Sequence, residues 1–148
     1  LEEVYAVVFM DAIHYHVRSE GRIVKRAVYI ALGIDMNGKK DVLGMYVGEN
    51  ESAKFWHDNW ATLSTYFKYP EAVRRLIYTT NAIEGFNRQL RKVTKSKTVF
   101  PSDDSLLKML YLATMDITKK WTGHRQDWGQ IHSQLEIYFE ERLIGRNL

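Results

Sequence analysis

The 148 residues contain no cysteine, which excludes disulfides and thiolate metal sites. No apolar run approaches the ~18 residues that a membrane span needs. No signal-peptide pattern opens the chain, so the cytoplasm is the expected compartment. A Gly-rich phosphate loop is missing, as is any Ser or Cys in a nucleophile context. Internal repeats and low-complexity tracts are absent too. Acid is scarce in one place above all: from residue 74 to residue 97, Glu84 is the single carboxylate among seven Lys and Arg.

Hydrophobic residues at 45% and charged residues at 26% fit one soluble globular domain with a real core. The formal net charge of +3 conceals an uneven layout. Residues 1–56 hold seven basic residues against eight acidic ones, so the positive charge is concentrated later, in the strip around Glu84. A basic strip in a near-neutral chain points to a polyanion, nucleic acid above all, or to a solvated helix face. The chain opens on Leu1 rather than Met, so it is expected to be part of something longer.

Residues 4–10 form a continuous apolar, β-branched and aromatic run, the pattern of a central strand, and it is expected to end at Asp11. Residues 13–18 continue extended to a turn at Ser19, Glu20 and Gly21. A second strand over 23–34 closes at Asn37-Gly38, a strong hairpin signal, and a third covers 42–47. From there the period becomes 3.6. A helix over 50–67 carries Trp56, Trp60, Leu63 and Phe67 on one face, and Pro70 starts a short helix to residue 77. The next helix spans the basic strip, with Ile83, Phe86, Leu90 and Val93 as its buried stripe. A helix capped by Ser102 or Asp103 buries Leu106, Leu110, Ala113, Ile117 and Trp121. The last, over 125–143, buries Trp128, Ile131, Leu135 and Tyr138. Three antiparallel strands followed by about five helices make an α+β fold.

Two acids carry the chemical interest. Asp11 is expected to project from the end of the first strand, as a metal-binding acid would, or simply to end that strand as a turn former. Glu84 heads a helix face with Arg88, Arg91 and Lys95. It can close a capping box with Asn81 or pair with Arg88. It can equally bind a hard cation, which takes oxygen ligands and leaves no thiolate or imidazole signature. Spacing alone leaves these readings open. His14 and His16 share a strand face but lack further ligands at zinc spacing.

The segments VYAVVFMDAIHYHVR, AVYIALGID, DVLGMYVGENESAKFW, RRLIYTTNAIEGFNRQLRKVTKSK and FPSDDSLLKMLYLATMDITKKW resemble transposases of the Mutator type, the IS256-like bacterial insertion-sequence family. The resemblance runs from Val4 to Leu143, and TTNAIEGFNRQLRKVTK is its most specific part. It implies a ribonuclease H-like core and an Asp-Asp-Glu triad that holds two divalent ions, Mg²⁺ or Mn²⁺. The first Asp of the triad falls on Asp11 and the Glu on Glu84, so these two are the implied catalytic and metal-binding residues. Arg88, Arg91, Lys92, Lys95 and Lys97 are the implied DNA contacts. His16 stands where the family more often has Lys.

The family's second Asp belongs to a DGxxGFPEA-like stretch, and nothing here matches it. Trp56 runs through His57 straight into DNWATLSTYFKYP, where the family has a long central region. Asp58 aligns with the later segment and does not fill the gap. The chain thus reads as one partial catalytic domain over 1–148, internally deleted near 56–60 and lacking the family's N-terminal DNA-binding region, with an incomplete ribonuclease H-like core. Strands and the start of a helix occupy 1–56 and helices occupy 57–148. The resemblance implies DNA transposition by metal-dependent cleavage and strand transfer, with activity lost in this copy. The alternative is a non-catalytic fragment that binds DNA or another transposase. The implied partners are insertion-sequence ends and target DNA, a second copy or an intact transposase, and no membrane.

Overall fold

Among the described residues, three strands build one antiparallel sheet in the order β1-β2-β3: β1 Tyr5–Ser19, β2 Arg22–Asp35 and β3 Lys40–Gly48. The computed structural model describes residues 5–48, 71, 73, 75, 81–123 and 127–140. Glu20 and Gly21, at φ of 50° and 75°, make the two-residue turn between β1 and β2. This left-handed pair matches the twist of the two strands it joins.

The second turn is organised by Asp35. Its Oδ1 accepts from the amides of Asn37 at 2.8 Å and Lys39 at 2.9 Å. Gly38 sits at φ 79°, and the Trp128 ring lies so close that a Cβ there would come within 2.6 Å of Trp128 Cγ. The indole Nε1 donates to the Met36 carbonyl at 2.9 Å. Glycine at 38 thus answers both a backbone requirement and a close approach.

β1 does not end at Asp11. It continues to Ser19, and every residue from Val7 onward stands opposite one of β2, Asp11 opposite Ile30. Asp is a poor strand former, but that preference is worth under about 1 kcal/mol and does not break so long a ladder. The carboxylate therefore lies in mid-strand rather than at the end of the sheet.

Three helices follow among the described residues: α1 Asn81–Thr94, α2 Asp103–Thr118 and α3 Trp128–Tyr138. Residues 71, 73 and 75 are helical as well. The helix expected over 50–67, and with it Trp56, Asp58 and Trp60, lies outside the described residues. Ser102 caps α2 as expected, its Oγ accepting from the Ser105 amide at 3.1 Å, with Asp103 and Asp104 in the favourable first turn. Arg26 Nε reaches Asp103 Oδ1 at 3.3 Å and ties β2 to the start of α2.

Side chains alternate along β1. Phe9, Ile13 and Val17 are buried, whereas Val8, Met10, His14 and His16 on the other face are exposed. The buried face joins Val28, Ile30 and Leu32 of β2 with Ile83, Phe86 and Leu90 of α1, Leu106 and Leu110 of α2, and Ile131 of α3 in one core. Each such side chain, fully buried, is worth roughly 1.5–3 kcal/mol. Two expected core positions fail: Val93 is 47% exposed and Tyr138 is 50% exposed. Thr94 is buried in place of Val93, because α1 rests on β1 along the side that carries Asn87 and Thr94.

No helix among the described residues is long and apolar enough to cross a membrane.

Candidate functional site

Polar side chains, as well as the apolar core, tie α1 to β1. Asn87 Nδ2 donates to Asp11 Oδ2 at 2.8 Å, and one step on, Thr94 Oγ1 stands 3.4 Å from the Tyr15 hydroxyl. The strand advances roughly 13 Å over four residues and the helix roughly 10 Å over seven. Helix and strand therefore run side by side in the same direction.

Asp11 lies on the helix-bearing face of β1, between Phe9 and Ile13, yet it is exposed. Its two oxygens are held differently. Oδ1 accepts from the amide of Ala12 at 2.8 Å, while Oδ2 takes the Asn87 amide. Among the described residues β1 is an edge strand, and further along its outer edge is met by Phe100. There the Phe100 amide donates to the His16 carbonyl at 2.9 Å, and the Arg18 amide donates to the Phe100 carbonyl at 2.8 Å. Backbone groups alternate sides along a strand, so the Ala12 amide faces the same outer edge as those of His16 and Arg18. Asp11 folds back over that edge amide.

On α1, at about 100° per residue, Asn87 and Thr94 mark one border of the buried stripe. Next to that border come Glu84, Arg88, Arg91 and Lys95, all exposed. Glu84 is three residues before Asn87, so their Cβ atoms are neighbours about 5–6 Å apart. It also sits in the first turn, where the helix dipole favours an acid. Arg91 is close enough to Tyr15 to act on its hydroxyl. Lys92 is exposed, and Lys97 lies over the Phe100 ring, 5.5 Å from its centroid. The exposed stripe of α1 beside Asn87, which reaches Asp11, thus carries Glu84 at its start and cations along the rest.

Burial pushes the Tyr15 hydroxyl above the ordinary tyrosine pKa, and the Thr94 hydroxyl and the Arg91 charge pull against it. Tyr15 also packs edge-on against Phe100, with ring centroids 5.8 Å apart. His14 and His16 project from the opposite face of the sheet. Among the described residues, no three His, Asp or Glu side chains come together in a metal-ligating group.

The sequence reading missed Asn87 and Tyr15. Asn87 was legible in principle, as a polar residue inside an apolar stripe, four after Ile83 and three before Leu90. Tyr15 stands four residues after Asp11 on the same strand face, a relation that shows only once β1 is known not to stop at Asp11.

The sequence profile of the family described as "Transposase, Mutator family" matches residues 1–64 and 57–124. Among curated proteins, the chain is similar to the transposase for insertion sequence element ISRM3 of Rhizobium meliloti, at 24% identity over 98% of this chain and 62% of that protein. It is also similar to a probable insertion-sequence transposase of Corynebacterium diphtheriae, at 23% identity over 84% of this chain and 66% of the relative. A third relative is the transposase for IS256 in transposon Tn4001 of Staphylococcus aureus, at 28% identity over 46% of this chain and 16% of the relative. The chain spans 62% of the length of the ISRM3 relative. That alignment runs over 246 positions against a chain of 148 residues, so close to a hundred positions of the relative face no residue here.

Proposed function

The chain belongs to the Mutator family of transposases, and from that premise we propose that it is a partial catalytic domain that binds DNA and one divalent cation without transposing. The observation that carries this reading is the Asn87–Asp11 hydrogen bond. It sets Asp11 beside the helix whose first turn bears Glu84 and whose exposed stripe bears Arg88, Arg91 and Lys95.

Asp11 and Glu84 offer hard carboxylate oxygens, the donor type that Mg²⁺ or Mn²⁺ prefers. Asp11 is exposed, and each of its oxygens keeps a lone pair beyond its one hydrogen bond. The residues fit one such ion, with Asp11 and Glu84 as its protein ligands. A bound ion of this kind polarises a phosphodiester oxygen. The basic stripe neutralises phosphates and fixes the register of the duplex without reading its sequence.

Two carboxylates are too few for the pair of ions that cleavage and strand transfer demand. The two profile matches meet at residues 57–64, and the relatives align over far more positions than this chain has. Both support an internal deletion near 56–60 that removed the second Asp together with later strands of a ribonuclease H-like core. On this reading DNA is the partner and the cytoplasm is the place of action.

The test is a Mn²⁺ titration of the wild type, Asp11→Asn and Glu84→Gln, read by electron paramagnetic resonance, together with a plasmid-nicking assay. Binding by the wild type that both variants lose, without nicking, is the expected result. Equal binding by all three proteins rejects the metal site, and robust nicking rejects the inactive assignment.

A further inference from the structure

Asn87 stands where α1 would be expected to place an apolar residue. The residue is 2% exposed and lies on the stripe of Ile83, Phe86, Leu90 and Thr94. A buried amide is unfavourable unless both its ends are satisfied. Here one end is not: Oδ1 has no hydrogen-bond partner among the described residues. The other end, Nδ2, donates to Asp11 Oδ2 at 2.8 Å. The amide cannot be turned round to cure this, because an oxygen would then face an acceptor-only carboxylate. A side chain of leucine's shape would fill the position with neither liability. The hydrogen bond to Asp11 is what distinguishes asparagine from that alternative.

We propose that Asn87 is a positioning residue for the Asp11 carboxylate, holding it ready for a divalent cation shared with Glu84. The inference rests on the metal reading above. With Oδ1 of Asp11 on the Ala12 amide and Oδ2 on Asn87, the carboxylate is pinned at both oxygens. It is thereby kept in one rotamer beside the helix that carries Glu84. Without the Asn87 donor, Asp11 stays exposed but is free to turn into solvent along the outer edge of β1.

The experiment measures Mn²⁺ affinity by electron paramagnetic resonance and thermal unfolding in EDTA, for the full chain and for Asn87→Leu and Asn87→Asp. Removing a partner that orients a ligand typically weakens metal affinity about 10–100-fold, and that loss is expected for Asn87→Leu. In EDTA the same variant is expected to melt at or above the wild-type temperature, since an unsatisfied oxygen leaves the core. In Asn87→Asp two carboxylates oppose each other. Its melting temperature is expected to fall in EDTA and to rise with Mn²⁺ by more than the wild type's does, because the cation relieves the repulsion.

Wild-type Mn²⁺ binding that does not depend on Asp11 and Glu84 overturns the metal reading and this inference with it. Binding that needs both acids but is unchanged in Asn87→Leu overturns this inference alone. Should Asn87→Leu fail to fold, a Mn²⁺-induced rise in Asn87→Asp no larger than that of the wild type overturns it instead.

Discussion

Asn87 and Asp11 are 76 positions apart in the chain and 2.8 Å apart in the fold, joined amide to carboxylate. That bond joins α1 to β1 on the side of the helix that is covered. Asn87 and Thr94 face the strand, Val93 faces outward, and the charged stripe borders the outer edge of β1. Four expectations follow from this arrangement and from the turn that anchors α3.

The first concerns the covered side of α1. Leu90 is fully buried, whereas Val93 is 47% exposed. Leu90→Ala is expected to lower stability by about 2–5 kcal/mol. Val93→Ala is expected to stay within about 0.5 kcal/mol of the wild type. Urea unfolding of the two variants measures both, and similar losses would restore Val93 to the core.

Gly38 and Gly21 separate backbone strain from packing. Both have positive φ, yet a Cβ at Gly21 meets nothing within 4 Å while one at Gly38 meets the Trp128 ring. Gly21→Ala is expected to lower stability by roughly 1–2 kcal/mol through backbone strain alone. Gly38→Ala is expected to lose clearly more and to quench or shift Trp128 fluorescence. Equal losses would show that the indole moves aside freely.

Tyr15 links the site to pH. Burial raises its pKa, so the folded state holds this proton more tightly than the unfolded chain does. The stability it contributes is complete below the unfolded tyrosine value of about 10 and is lost as pH rises through the folded value. As pH rises above about 10, the wild type is expected to lose thermal stability faster than Tyr15→Phe. Parallel curves would remove Tyr15 as the cause.

The basic stripe makes a prediction in salt. If Arg88 and Arg91 each neutralise one phosphate, replacing both by Ala flattens the dependence of log affinity on log salt by about 0.9 per contact, close to two in all. Fluorescence anisotropy with a duplex at several salt concentrations measures the slope. An unchanged slope would place the DNA elsewhere on the surface.

Periodicity was sufficient for much of this fold. Runs of strand-forming residues with Gly21 and Gly38 at the turns specify the meander of β1, β2 and β3. The 3.6-residue stripes specify α1, α2 and most of α3, and Ser102 marks the start of α2. These features are local: a strand, turn or cap depends on residues within a few positions of one another. The family assignment was likewise legible, carried by contiguous stretches such as TTNAIEGFNRQLRKVTK.

Tertiary structure alone decided what depends on partners far away in the chain. Asp11 has the local preferences of a strand terminator, yet the ladder to β2 carries β1 past it, because many paired residues outweigh one weak propensity. Val93 and Thr94 are adjacent, and helical period alone selected Val93 for the core. The choice fell to Thr94 because α1 meets β1 at Asp11 and Tyr15. Asn87 reads in sequence as a flaw in an apolar stripe. Its purpose becomes visible when β1 brings a carboxylate to within a hydrogen bond of it.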